Sequence, residues 1–403
     1  MKYSALLLAF YEIKKISLKK FFYLLIAVLS VLCFLSVQFR YEKNSLFGDI
    51  GGNEFLTVFD ELYFEMCGEI TDEKINDIII CYADLSEKVA DRTASSLLDN
   101  ENYISGNIWM DYYSIRDLFV NPMEYNYTYQ NIAHDIIERT IENSKIYKAE
   151  NNIYKYNESV KTYEIFSNRE ISNFYYYEPF LHQSNDVFPS ILILILCVYL
   201  CANILLIEKE SYMNYILFTT QLGKTKIVYA KILALFILCV CTVLWFLFVE
   251  LLSMYIIYPN MDGGMLPLYA IEKFYATPLN LTVWEYVFLS AALRCFGTFV
   301  CICIGFACFL LFKNSYSAFL FVCFIFSSFV FLNMYYDNTA IDFLIELNPI
   351  SLMNNSTLFQ QIKFYNFFSI PIHNYIISLG FGVILVIISF CVIVNYRKFD
   401  KLK

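Results

Sequence analysis

Six apolar runs, each long enough to cross a bilayer, are split one-plus-five by a single acidic block. A hydrocarbon core about 30 Å thick takes roughly 20 helical residues to cross. The runs Phe21 to Phe39, Phe188 to Ile207, Ile232 to Tyr258, Trp284 to Phe312, Ser315 to Tyr336 and Asn374 to Asn395 meet that length. Lipid offers backbone polar groups no partner, so each run is expected to be a helix. The fold class that follows is an all-α integral membrane protein with a mainly helical extracellular domain between spans one and two.

Orientation follows from charge. The block from Arg40 to Val187 holds 12 Lys and Arg against 27 Asp and Glu, so of the chain's net −9 it carries −15 and the remainder +6. Nucleic acid and other anionic partners are thereby excluded from that block. The leftover basic residues cluster before span one (Lys14, Lys15, Lys19, Lys20), between spans two and three (Lys209, Lys224, Lys226, Lys231), at Lys313 and after span six (Arg397, Lys398, Lys401, Lys403). The positive-inside rule makes these cytoplasmic, with both termini inside. The expected order is an interfacial amphipathic helix at 1–20, span one at 21–39, the extracellular domain at 40–187 and span two at 188–207. A cytoplasmic loop at 208–231, span three at 232–258, an extracellular loop at 259–283 and span four at 284–312 follow. Span five at 315–336, a re-entrant-like extracellular loop at 337–373, span six at 374–395 and a cytoplasmic tail at 396–403 complete it. Retention of the first run is expected, because it exceeds a signal-peptide core and lacks a small-x-small cleavage site.

Local patterns fill in the flanks. Tyr3 to Lys20 sets Leu6, Phe10 and Ile13 against Glu12, Lys15 and Lys19, the pattern of a helix in the headgroup layer or of a cytoplasmic extension of span one. In the acidic block, Asp72 is positioned to cap a helix with Ile75, Ile78, Ile79, Tyr82, Leu85 and Val89 at three- and four-residue spacing. A second pattern starts after Asn121-Pro122 and continues toward Phe166 with no glycine or proline to stop it. Phe174 to Tyr177 reads either as an interfacial aromatic belt or as a packing cluster in the stalk.

Chemistry is sparse. There is no phosphate-binding loop, no His-Glu-x-x-His and no Gly-x-Ser-x-Gly. His134, His182 and His373 are scattered, and His134 and Asp135, as helical neighbours, are expected to point apart. No catalytic residue and no metal ligand is expected. Eleven of the 13 cysteines fall in spans, where they serve as small apolar residues. Cys67 and Cys81 face the exterior, where either a disulfide or two free thiols fits the sequence.

Glu250 and Arg294 are the notable intramembrane charges. Each lies 19 positions from a cytoplasmic-end lysine, Lys231 and Lys313 respectively, on consecutive antiparallel spans. At 1.5 Å per residue both stand about 28 Å above those lysines, a height that allows an ion pair. The alternative is that each reaches the outer headgroups separately.

Glu12-Ile13-Lys14-Lys15 through Lys19-Lys20-Phe21-Phe22 resembles the N-terminal helix of type 2 ATP-binding-cassette (ABC) exporter permeases. Glu208 and Glu210, then Tyr212, Tyr215 and Ile216-Leu217 through Gly223-Lys224-Thr225-Lys226, are similar to that family's cytoplasmic coupling loop. Asn348-Pro349 resembles its re-entrant region. Compact members have only a short loop between spans one and two, so the insert points to an elaborated branch. The resemblance implies a permease subunit without ATPase motifs or bound cofactor, working with cytoplasmic ABC ATPase subunits that hold ATP and Mg. It further implies a second permease copy or paralogue, surrounding membrane lipid, and export of a peptide, lipid or amphipathic drug-like substrate. The implied location is the plasma membrane of a bacterium, and the AT-rich residue usage suggests a Gram-positive one. A polytopic receptor or scaffold whose extracellular helices bind a ligand or partner is the competing expectation.

Overall fold

The computed structural model describes residues 5–44, 53–90, 112–113, 115–210, 226–312, 314–334 and 342–399. The six apolar runs lie on helices long and apolar enough to cross a membrane. These are α2 (Lys20–Asn44), α8 (Phe188–Glu210), α9 (Lys226–Ile257), α10 (Val283–Leu311), α11 (Ser315–Met334) and α15 (Asn374–Phe399). Below they are spans one to six. The ends next to the inserted domain are called the domain ends, and the opposite ends the loop ends.

The short helix α1 (Ala5–Ser17) precedes span one and packs along span three. Its buried face is Ala9, Glu12 and Ile16, while Leu6 and Phe10 are exposed. Ala9 meets Ala230 and Ala234, small side chains that let the two helix axes approach closely.

The inserted domain comprises α3 (Asn53–Met66), β1 (Gly68–Glu69), α4 (Asp72–Ala90), α5 (Asn121–Ala149), α6 (Ile153–Phe166), β2 (Asn173–Phe174) and α7 (Glu178–Asn185). At the start of α4 the capping oxygen belongs to Thr71, which accepts from Lys74 N at 3.3 Å; Asp72 instead accepts from the Tyr127 hydroxyl at 3.0 Å. The pattern expected to run unbroken toward Phe166 divides into α5 and α6. Asn151 adopts φ +54° and Asn152 caps α6 by accepting from Lys155 N at 3.2 Å. Asparagine tolerates the left-handed region, so a helical hairpin forms without glycine or proline.

Phe174 and Tyr176 are almost wholly buried beside Phe119 and Phe59, so they are core residues of the domain rather than an interfacial belt. That core continues into the segment between spans three and four, where Leu268, Ala270, Ile271 and Phe274 are buried. Gly263 is the point of closest approach: its N–H donates to Tyr176 O at 3.0 Å, and a Cβ there would come within 2.2 Å of the same oxygen. A second core lies among the spans, around Leu192, Phe246, Cys301 and Phe306.

Between spans five and six the described chain forms α12 (Asp342–Glu346), α13 (Pro349–Met353), α14 (Ser356–Phe359) and a hairpin of β3 (Phe364–Phe367) with β4 (Ile370–His373). The strands pair antiparallel with Phe364 opposite His373 and Phe367 opposite Ile370. Helix α13 is buried along its whole length among the spans. Asn348 caps it, accepting from Ile350 N at 3.1 Å, and donates from its amide to Phe329 O inside span five at 2.6 Å. Opposite α13 stands Gly297 of span four, where a Cβ would lie 2.8 Å from Pro349 O. The chain is mostly helical, and the two small strand pairs are additions to the all-α expectation.

Candidate functional site

Polar side chains concentrate at the domain ends of the spans. Arg294 Nη1 donates to both carboxylate oxygens of Glu250, at 2.9 and 3.1 Å, with the two side chains 7% and 3% exposed. Arg294 Nε donates to Met353 O of α13 at 3.3 Å, and the Ser190 hydroxyl of span two reaches the same oxygen at 3.4 Å. One guanidinium therefore ties spans three and four to the buried helix α13. Removing both ions from water costs several kcal/mol each, so the pair fixes geometry more than it adds stability.

A second pair stands one layer nearer the inserted domain. Arg40 of span one is ion-paired with Asp186 and donates to His182 O at 3.2 Å. Asp186 also accepts from Phe188 N at 2.7 Å, capping span two. His182 Nδ1 shares a hydrogen bond with the Tyr258 hydroxyl at 2.7 Å, and Nε2 lies 3.7 Å from Glu178. Burial, helped by the positive charge of Arg40, pushes the His182 imidazole down to about 4, so it is neutral at neutral pH. A pocket lined by Arg40, His182, Asp186, Glu250, Met254 and Tyr258 separates the two ion pairs.

Arg169 completes this end. It is 6% exposed, and its guanidinium donates to Asn280 Oδ1 at 2.9 Å, to the Tyr129 hydroxyl and Tyr275 O at 3.2 Å each, and to Thr277 O. Its plane also lies over the rings of Phe166 and Tyr269. Arg169 thus fastens the α5–α6 hairpin to the segment between spans three and four.

The loop ends carry a different set of contacts. Lys19 Nζ donates to Asn203 Oδ1 at 2.6 Å and Lys231 Nζ to Ile204 O at 3.0 Å. With the Ala9 contact on Ala230 and Ala234, these join α1 and the start of span one to the loop-end portions of spans two and three. Of the residues expected to couple to an ATPase, Glu208 and Glu210 lie in the last turn of α8 and Lys226 opens α9. Tyr212, Tyr215, Gly223, Lys224 and Thr225 lie outside the described residues.

No disulfide joins Cys67 and Cys81. Cys67 follows the last turn of α3 and donates to Phe64 O at 3.6 Å, whereas Cys81 sits midway along α4 on an exposed face. His134, Asp135 and Glu138 bring one ligand atom each within 4.8 Å of one another on the exposed side of α5, closer than expected for helical neighbours. Full exposure leaves those groups hydrated.

Sequence reasoning reached Glu250 and Arg294 because charge is conspicuous in an apolar run. It missed Arg40, Asp186 and Arg169, which sit in a charged block where nothing marks a buried residue. The one available signal was the position of Arg40 and Asp186 immediately beside the first two spans.

Residues 65–391, about four-fifths of the chain, match the family described as ABC-2 family transporter protein. Comparison with curated proteins and with solved structures returned no match. The match begins inside the inserted domain and runs through spans two to five and most of span six, including both ion-pair layers at Glu250 and Asp186 and the segment between spans two and three. The chain belongs to the ABC-2 family of transporter proteins.

Proposed function

We propose that this chain is the permease subunit of an ABC exporter, with the loop ends of its spans in the cytoplasm and the inserted domain outside the cell. It works beside cytoplasmic ATPase subunits that bind ATP and Mg, and beside a second permease copy or paralogue. The observation that carries the reading is the family match across 65–391. The loop-end contacts of spans two and three support it: α1, Lys19 and Lys231 give a push on the segment between those spans a direct route into both. Closure of the ATPase pair would bias the spans between two arrangements through differential contacts at this segment. The cargo class that fits is a peptide, lipid or amphipathic drug-like molecule, and the membrane is the plasma membrane of a bacterium.

The test is purification with the ATPase encoded beside it. Wild-type protein is expected to retain the ATPase through affinity capture, and K224E/K226E to lose it while its thermal unfolding stays unchanged. Equal retention by both proteins would contradict the placement of the coupling segment. Absence of any ATPase from the wild-type complex would favour the receptor or scaffold reading.

A further inference from the structure

The hairpin before span six presents large apolar side chains at an energetic cost. Its two-residue turn is Phe368-Ser369, and both residues have positive φ, 50° and 66°. A tight turn of this kind favours Asn-Gly, because a Cβ strains the left-handed region. A phenylalanine there, 88% exposed, is a poor choice for making the turn. Two asparagine side chains hold the turn instead: Ser369 N donates to Asn366 Oδ1 of β3 at 2.9 Å, and Asn157 Nδ2 of α6 donates to Ser369 O at 3.3 Å. Phe367 and Ile370 beside it are also more than half exposed, so three apolar side chains project from one tip.

Two further observations say what covers them. Between Lys363 and Arg397 the chain has no Asp, Glu, Lys or Arg, although a span takes only about 20 residues. The excess uncharged residues are the hairpin, which passes from His373 directly into the first helical residue of span six, Asn374. The surface of span six continues from it: Ile376 in the first turn is exposed, as are Phe343 and Leu344 of α12. Helix α6 fixes the level. Just past its C-terminus Arg169 binds Asn280, three residues before span four, while Lys161 within it binds Pro371 O at 2.6 Å, three residues before span six. Spans four and six pack side by side, so α6 lies across their ends rather than rising away from them, and the hairpin is held at that same level.

We infer that the Phe367 to Ile370 tip is a wedge that enters the lipid leaflet on the side of the membrane carrying the inserted domain. The covering partner is acyl chain just below the headgroups, continuous with the lipid that surrounds span six. The strain at Phe368 is thereby balanced by removing three large side chains from water. Because α6 grips the hairpin through Tyr154, Asn157 and Lys161, the wedge ties the α5–α6 arm to the bilayer surface. The proposal does not depend on transport or on an ATPase.

The test places tryptophan at the tip in the full-length protein, as F368W and separately as I370W, in nanodiscs of phosphatidylcholine and phosphatidylglycerol. The I370W variant needs no positive φ and covers the case in which F368W folds poorly. Emission of the parent protein, which carries three tryptophans, is subtracted. The difference emission is expected at shorter wavelength than indole in water, and to fall severalfold in lipid brominated near the headgroup end of the acyl chain. Water-like, unquenched emission from both variants would overturn the wedge. Short-wavelength emission that brominated lipid leaves unquenched would overturn it too, since protein, such as a second copy of the chain, would then cover the tip.

Discussion

At the domain ends of the spans, buried charged side chains are shared among several elements; at the loop ends, Lys19 and Lys231 reach span two and Ala9 packs on Ala230 and Ala234 of span three. Arg294, Arg40 and Arg169 each bridge segments far apart in sequence, joining spans one, three and four, the buried helix α13 and the α5–α6 hairpin. Lys19 reaches Asn203 and Lys231 reaches Ile204, both on span two. A truncation at Glu250 or Arg294 leaves a buried charge unpaired, whereas one at Lys19 leaves a part-exposed amide oxygen of Asn203 that water can satisfy. Under the proposed function, the domain ends would brace the chain while the loop ends take up the ATPase's motion.

The largest effect should come from the buried pair. Glu250→Gln or Arg294→Gln alone should destabilise the fold by about 3–5 kcal/mol, because each strands its partner charge in an apolar setting. In a double-mutant cycle of thermal unfolding with E250L and R294M as its single variants, the double replacement E250L/R294M should recover most of the single losses. Additive losses would break the claim that the two act as one unit.

Next in size, Arg169→Ala should cost about 3 kcal/mol by removing a charged donor from several buried acceptors. Limited proteolysis should then cut the α5–α6 hairpin faster without loss of the six-span core.

Acidification sharpens the comparison by acting at the domain ends. His182 and His373 are both held down to about 4 by burial, with Arg40 and Lys161 adding to the effect. The unfolded chain takes up protons near 6.5, so it binds more of them between that pH and 4. Stability should be at its full value above pH 6.5 and fall as pH drops toward 4, by about 1–3 kcal/mol per histidine. Measurement of unfolding temperature against pH should show the slope, and His182→Gln should flatten part of it.

The smallest stability effect belongs to the loop ends. Lys19→Ala or Asn203→Ala should cost about 1 kcal/mol or less. Under the proposed function, either should lower substrate-stimulated ATP hydrolysis of the assembled complex more than its unfolding temperature would suggest.

How far the fold was legible depended on which force marked each residue. Lipid forces long uncharged runs, so the six spans stood out; helix pitch then set the heights of Glu250 and Arg294, though not whether they face each other. Arg169 was hidden because an arginine in an acidic block looks solvated, and only the packed structure shows its buried acceptors. Asn151 ended a helix that lacked glycine and proline, since asparagine enters the left-handed region at modest cost. The β3–β4 hairpin escaped notice for a related reason: Phe368-Ser369 is not a turn dipeptide, so its strands stayed unmarked within the expected loop at 337–373. Aromatic residues at 174–177 gave two readings that only their burial could separate.

Hydrogen exchange of the full-length protein in nanodiscs tests the central contrast most directly. Peptides covering 169–186, 262–283 and 349–359 at the domain ends are predicted to exchange slowly and together. Those covering α1, the last two turns of α8 and the first two turns of α9 should exchange at least tenfold faster, a difference of about 1.4 kcal/mol in opening free energy. Equal protection at both ends, or faster exchange at the domain ends, would contradict the account.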